Sequence, residues 1–146
     1  IIIKETLERF ENHRAQATKT EYWFSYFISE KGNGPNVTNT NLANVNYAVY
    51  FKDGVLLDTS VLNIAESYDR VDSNRLAADA YKPITADVNK EAAMIEGFKE
   101  GVRLLKVGDK ATLFLPYNLP YGEQGNRMIP ARSDLIFEIE VVSLLE

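Results

Sequence analysis

Residues 97–142 constrain the fold of this chain more than any other part, because their pattern specifies an ordered series of elements. The segment reads as a short helix, a turn, a strand, a long loop punctuated by glycine and proline, and a final strand. The loop carries the sequences Pro120-Tyr121-Gly122 and Met128-Ile129-Pro130 between two strands of alternating hydrophobicity. This order places Tyr121, Met128 and Ile129 where they can close over an apolar cleft.

The first 60 residues add a helix and several strands. Ile3, Leu7 and Phe10 form an apolar stripe that predicts an amphipathic helix over residues 2–17, with the charged residues on its other face. Such a helix either docks on its own domain or pairs with another chain. The remaining elements are predicted to be strands at 22–28, 45–51 and 55–58, with a hairpin turn at Lys52-Asp53-Gly54.

The middle of the chain gives weaker signals. Residues 69–79 are polar with helical tendency, and Ile84-Thr85 suggests a short strand or a bend. A helix is expected within residues 92–105, interrupted early by Gly97, and further strands at 111–115 and 135–144. We therefore predict an α+β fold, in which a curved antiparallel β-sheet (a half-barrel) wraps around one short helix and an N-terminal helix is added.

Composition excludes several classes of function. The 146 residues are 45% apolar, which suffices for a globular core, and the net charge of −5 with scattered basic residues argues against nucleic-acid binding. No apolar run reaches the ~18 residues of a membrane span.

The residue types that carry chemistry exclude further classes of site. The absence of cysteine excludes disulfides and thiol chemistry. The chain has a single histidine, His13, which argues against a Ser-His-Asp triad and is expected on a solvated helix face. Asp69, Asp72 and Asp79 lack the glycine and terminal glutamate of a calcium loop, so no metal site is predicted.

Residues 45–60 carry the first of three matches to a known pattern. They resemble the sequence V-x-Y-x-(G)-x-L-x-D-G-x-x-F-D-S-S of the FKBP-type peptidyl-prolyl cis-trans isomerases. Tyr47 and Asp58 fall on the pocket tyrosine and aspartate of that family. Leu57 stands where the family usually has phenylalanine.

Residues 94–108 carry the second match, to the pattern V-I-x-G-W-x-x-G-(x)5-G. The resemblance implies that the Ile95 N–H binds a ligand carbonyl and that Phe98, in place of the commonest tryptophan, forms the pocket floor. Met94 takes the position usually held by valine.

Residues 119–141 carry the third match. The pocket positions that this match implies are the flap Tyr121, Asn126 where some members have histidine, Met128, the wall residue Ile129 and the inner-strand Phe137. The three matches occur in family order and cover about half of the chain. The resemblance therefore implies the FKBP fold, with an N-terminal amphipathic helix at 1–20 and an isomerase domain at 21–146.

The gap between Asp58 and Met94 is longer than the family pattern, so an insertion is predicted near residues 61–80. Tyr81 and Ile84 are the candidates for the remaining wall position. The resemblance implies a peptidyl-prolyl isomerase that needs no cofactor and acts on Xaa-Pro segments of unfolded or partly folded proteins. It also implies macrolides such as FK506 as pocket ligands.

The implied roles fall into two groups. Expected to act on the rotating bond are Tyr47, Asp58, Ile95, Tyr121 and Phe137. Expected to bind the substrate are Leu57, Met94, Phe98, Asn126, Met128 and Ile129. The alternative is a non-catalytic chaperone or protein-binding module with the same cleft, and a third reading is a homodimer formed through the N-terminal helix.

The expected location is the bacterial cell envelope. The chain starts at Ile1 rather than methionine and lacks cysteine, and it resembles exported bacterial family members with a leading helix. These features suggest a periplasmic protein, with a lipid anchor before processing as one form. A cytoplasmic location stays open at this point.

Overall fold

A computed structural model of the chain describes residues 2–20, 24–37, 42–87, 96–116 and 134–145. Within these ranges lie four helices and seven strands. In chain order they are α1 (Ile2–Ala15), β1 (Thr18–Lys19), β2 (Ser25–Glu30), β3 (Leu42–Phe51), β4 (Leu56–Thr59), α2 (Leu62–Ser67), α3 (Ser73–Ala77), β5 (Ile84–Asp87), α4 (Glu96–Arg103), β6 (Lys110–Leu115) and β7 (Leu135–Leu145).

The strands form one open antiparallel sheet in the order β1-β2-β6-β7-β3-β4, and β5 also pairs with β3. The long strands β3 and β7 lie at its centre, with Tyr47 opposite Ile139 and Val49 opposite Phe137. The predicted α+β class, with an antiparallel sheet, short helices and an N-terminal helix, is confirmed.

The β3–β4 hairpin forms where its sequence predicts it. Gly54 adopts a φ of +87°, a left-handed conformation that a side chain would disfavour. Strand β3 begins at Leu42, earlier than the alternation indicated, because its first residues pair with both β5 and β7. Helix α4 contains Gly97, so the interruption expected at that glycine was wrong.

Alternating side chains of the strands build one apolar cluster on each face of the sheet. On the inner face, Phe98 and Val102 of α4 pack with Leu113, Phe137 and other strand residues. Gly101 allows helix α4 to lie close to strand β6, since a methyl group at this position would overlap the Leu113 side chain. The outer-face cluster consists of Phe10, Ala48, Tyr50, Leu56, Phe114 and Ile136.

Helix α1 docks on this outer face through a stripe that differs from the expected one. Thr6 and Phe10 are buried, whereas Ile3 and Leu7 remain 41% and 40% exposed. Arg9, which was expected on the solvated face, instead donates from Nε and Nη2 to the Glu138 carboxylate at 2.8 and 3.0 Å.

His13 was likewise expected to be solvated, and that expectation was wrong. Its Nδ1 lies 2.8 Å from the buried Thr112 hydroxyl, and its ring centroid lies 5.0 Å from that of Phe27. The outer face of the sheet carries polar groups on β6 and β7, so the helix side chains that reach it must satisfy hydrogen bonds as well as exclude water.

Candidate functional site

The β3–β4 hairpin positions a tyrosine–aspartate pair at the edge of the inner face. Asp58 follows the hairpin turn and pairs in register with Val49. The Tyr47 hydroxyl donates to Asp58 Oδ2 at 2.7 Å. Backbone and side-chain bonds between Tyr47 and the Thr59-Ser60 pair fix the two strands beside each other, so the pair is held by the hairpin itself.

The environment of Tyr47 keeps its hydroxyl protonated. Burial raises the pKa of Tyr47, and the hydrogen bond to Asp58 and the charge of that carboxylate raise it further. The phenol is therefore a permanent donor at neutral pH. Asp58 also accepts from the Thr59 N–H at 2.8 Å.

Aromatic and aliphatic side chains line the inner face next to this pair. The rings of Phe98 and Phe137 lie 5.5 Å apart at an angle of 55°, a tilted geometry that aromatic pairs favour. Half-buried Tyr47 and Leu57 pack against the same cluster. The Tyr47–Asp58 pair therefore borders the apolar cluster that contains both rings.

A third polar group reaches the pair from a distant part of the chain. Arg75 of α3 donates from Nη1 to Asp58 Oδ1 at 2.6 Å and from Nη2 to the Thr59 carbonyl oxygen at 2.9 Å. Its guanidinium carbon lies 4.5 Å from the centroid of the Tyr81 ring. Tyr81 was one of the two candidates for the remaining wall position.

Arg75 was missed by the sequence analysis. It lies 17 positions from Asp58, inside a polar stretch with no hydrophobic period and no motif. Arg75 reaches the site only because α2 and α3 fold back over β4. No local sequence pattern predicts this tertiary contact.

The structure thus brings together five of the residues that the sequence singled out: Tyr47, Leu57, Asp58, Phe98 and Phe137. The other six candidates, Met94, Ile95, Tyr121, Asn126, Met128 and Ile129, lie outside the described residues. None of the helices in the described ranges has the length and hydropathy needed to cross a membrane.

Comparison with known proteins identifies the family. A family model for the FKBP-type peptidyl-prolyl cis-trans isomerases matches residues 34–142. The chain belongs to this family. The match contains the β3–β4 hairpin, helix α4 and most of strand β7, which carry the candidate residues within the described ranges.

Two FKBP relatives show how much of the chain is shared. The FKBP-type peptidyl-prolyl cis-trans isomerase FkpA of Aeromonas hydrophila is 32% identical over 125 residues, which cover 86% of this chain and 39% of that protein. FK506-binding protein 1 of Aspergillus oryzae is 27% identical over 117 residues, 80% of this chain and 94% of that protein. The chain therefore spans well under half of the A. hydrophila relative and nearly all of the Aspergillus one.

A solved structure shares the fold. The crystal structure of FkpA from Escherichia coli superposes with a TM-score of 0.69 at 24% sequence identity, covering 97% of this chain and 57% of that one. At this identity the likeness establishes a common fold alone.

Proposed function

We propose that this chain is a peptidyl-prolyl cis-trans isomerase that accelerates rotation about Xaa-Pro bonds. The observation that carries the proposal is the Tyr47–Asp58 pair at the border of the apolar cluster that includes Phe98 and Phe137 and against which Leu57 packs. Family membership supports it, because the matching family model is that of the FKBP-type peptidyl-prolyl cis-trans isomerases.

The chemistry requires no nucleophile and no cofactor. Rotation about a peptide bond is slow because amide resonance imposes a barrier of ~18–20 kcal/mol. A twisted amide has less charge separation than a planar one, so a dry apolar pocket disfavours the planar ground state more than the transition state. Leu57, Phe98 and Phe137 would hold the proline ring in such a pocket.

Directed hydrogen bonds would then favour the twisted geometry. In the proposed mechanism Tyr47 and Asp58 orient the polar edge of the pocket. Asp58 is given no general-base role, because rotation about a peptide bond transfers no proton. Its oxygens instead accept bonds from Tyr47, Thr59 and Arg75, which hold the carboxylate in one orientation.

The six candidates outside the described residues complete the proposal. The Ile95 N–H and the Tyr121 hydroxyl would bind substrate carbonyls. The remaining pocket residues would be Met94, Asn126, Met128 and Ile129.

A protease-coupled assay on a short Xaa-Pro peptide tests the activity. The wild-type chain should accelerate isomerisation, and Tyr121→Phe and Asp58→Val should each lower kcat/KM. No acceleration by the folded wild-type chain would leave the alternative, a non-catalytic chaperone or binding module. Unchanged rates in both variants would remove the roles given to those residues.

Macrolide binding is a separate proposal about the same pocket. FK506 should bind the chain and inhibit isomerisation competitively. Titration calorimetry with wild type and with Phe98→Ala measures this. Equal affinity for both proteins would place the ligand elsewhere.

We further propose a homodimer through α1 and a location in the bacterial cell envelope. Ile3 and Leu7 of α1 are large apolar side chains left partly exposed, which supports a contact between helices. The relatives named FkpA come from bacteria, among them A. hydrophila, which supports the proposed location. Light scattering of wild type and of Ile3→Ser/Leu7→Ser tests the dimer. Cell fractionation after expression of the natural gene in a bacterial host tests the periplasmic location, and labelling with a radioactive fatty acid tests the lipid anchor.

A further inference from the structure

The segment 61–80, which the family pattern marks as extra, reaches the candidate site through Arg75. Arg75 makes two bonds that converge on the end of β4, one to the Asp58 carboxylate and one to the Thr59 carbonyl oxygen. The Arg75 and Asp58 side chains are only 30% and 24% exposed. A charge-assisted pair of this geometry fixes orientation more strongly than an exposed ion pair does.

Contacts other than the bond to Asp58 also orient Arg75. The Asp72 carboxylate caps α3 by accepting from the Asn74 and Arg75 N–H groups at 2.9 and 3.1 Å. The Asp72 N–H in turn donates to the Tyr81 hydroxyl at 2.8 Å, and the Tyr81 ring lies against the Arg75 guanidinium. Cap and ring together limit the rotamers open to Arg75, so little side-chain entropy is lost when it binds Asp58.

The other end of the same segment is anchored on the outer face. The Tyr68 hydroxyl is hydrogen-bonded to the Thr6 hydroxyl of α1, and the Tyr68 ring packs edge-on against Tyr50 with centroids 5.6 Å apart. Ala65 of α2 is buried. The extra segment is therefore packed at both ends.

We propose that Arg75 is a positioning residue for isomerisation: it locks the Asp58 carboxylate so that Oδ2 faces the Tyr47 hydroxyl at the edge of the proline pocket. This inference rests on the proposed isomerase function. Without Arg75, Oδ1 loses its cation and the carboxylate is free to rotate away from Tyr47. The segment 61–80 then serves the reaction by supplying this arginine.

The charge of Arg75 is secure under assay conditions. Burial alone would lower the pKa of Arg75, but the hydrogen bond and the charge of Asp58 outweigh it, and the pKa is raised. The effect of substitution therefore reports the loss of a guanidinium and not a change in its protonation.

A double-mutant cycle between Arg75 and Asp58 tests the proposal. Loss of a hydrogen bond to a charged group predicts that Arg75→Gln lowers kcat/KM roughly tenfold in the wild-type background. In the Asp58→Asn background the same change should lower it less than about twofold, because the carboxylate to be positioned is already gone. The matched control is Arg70→Gln, an exposed arginine of the same segment, which should leave kcat/KM unchanged.

The possible results separate this inference from the activity itself. An inactive wild-type chain overturns the isomerase proposal, and the role of Arg75 falls with it. An active wild type with an equally active, folded Arg75→Gln variant overturns the positioning role alone. An equal loss in both backgrounds identifies Arg75 as a general structural residue and also overturns it.

A second variant covers the case in which Arg75→Gln does not fold. Arg75→Lys keeps the positive charge and the contact with Asp58 but loses the second hydrogen bond, to the Thr59 carbonyl oxygen. Its kcat/KM should lie between those of wild type and Asp58→Asn. A value equal to wild type would show that the bidentate geometry is irrelevant and would overturn the proposal.

Discussion

The carboxylate of Asp58 accepts hydrogen bonds from three described groups: the Tyr47 hydroxyl, the Arg75 guanidinium and the Thr59 N–H. Each of these donors belongs to a different environment, namely the inner face, the extra segment and the backbone of β4. A carboxylate engaged in this way is held in one orientation and fixes the orientation of its donors in turn. At the scale of the residue, the candidate site is an arrangement of donors around one fixed acceptor.

Substitution of Tyr47 should show this arrangement as a change in stability. Tyr47→Phe keeps the ring packed against the core and removes the donor to Asp58, so we expect a loss of roughly 1.5–3 kcal/mol in the free energy of unfolding. Urea denaturation monitored by circular dichroism measures it. Tyr26→Phe, a half-buried tyrosine of β2, is the matched control. An equal effect of the two changes would mean that the bond to Asp58 is not the cause.

At the scale of the element, helix α4 depends on one small residue. Gly101→Ala would normally stabilise a helix, but here the new methyl group meets Leu113, so we expect a net loss of about 1–3 kcal/mol. Leu113→Ala in the same chain should relieve the overlap and make the two changes less than additive. Unfolding free energies of the four proteins complete the measurement. A Gly101→Ala variant more stable than wild type would contradict the close packing.

Helix α1 should respond to pH through His13. Burial lowers the pKa of His13, nearby Arg9 lowers it further, and Glu138 opposes them without reversing the shift. The folded chain then binds a proton less readily than the unfolded chain, whose histidine titrates near ~6.5. The contribution of neutral His13 to the free energy of unfolding is fully present above that pH. It is lost as the pH falls through the lower pKa that His13 has in the folded chain.

Thermal unfolding between pH 7.5 and 5 measures this dependence. We expect the melting temperature of wild type to fall more steeply on acidification than that of His13→Gln, whose side chain can still reach Thr112 and does not titrate. The carboxylates titrate in both proteins, so only the difference between the curves reports on His13. Parallel curves would show that docking of α1 does not depend on the charge of His13.

The elements differ in how much of them could be predicted from sequence. The β3–β4 hairpin was predictable because alternation and an Asp-Gly turn are local signals. The docking stripe of α1 was not: Ile3 and Leu7 satisfy the helical period, yet Thr6, Arg9 and His13 make the contacts with Tyr68, Glu138 and Thr112. Hydropathy ranks residues by their affinity for an apolar surface, and the face that α1 meets is partly polar.

For the candidate site, the family motifs singled out Tyr47, Asp58 and Phe98, whose roles stay predictions. Arg75 could not be predicted, since its partner is distant in sequence and the contact arises only from tertiary folding.

At the scale of the whole molecule, one sheet separates two clusters that share its strands. Phe10 is 3% exposed in the outer cluster and packs edge-on against Tyr50 of β3, the strand that also carries Tyr47. We expect Phe10→Ala to cost about 3–5 kcal/mol and to lower the stability of the entire domain in a single transition. Coincident far-UV and near-UV circular dichroism curves would show this. A separate early transition confined to α1 would show that the outer cluster unfolds independently.

Alternation along β3 assigns Tyr47 and Val49 to one side of the sheet and Ala48 and Tyr50 to the other. Under the proposed function, selection for activity would act mainly on the first side and selection for stability mainly on the second. Substitutions beneath α1 could then change stability while the residues of the proposed pocket stay the same. Protein engineers could use the same separation, randomising one set of positions while holding the other constant.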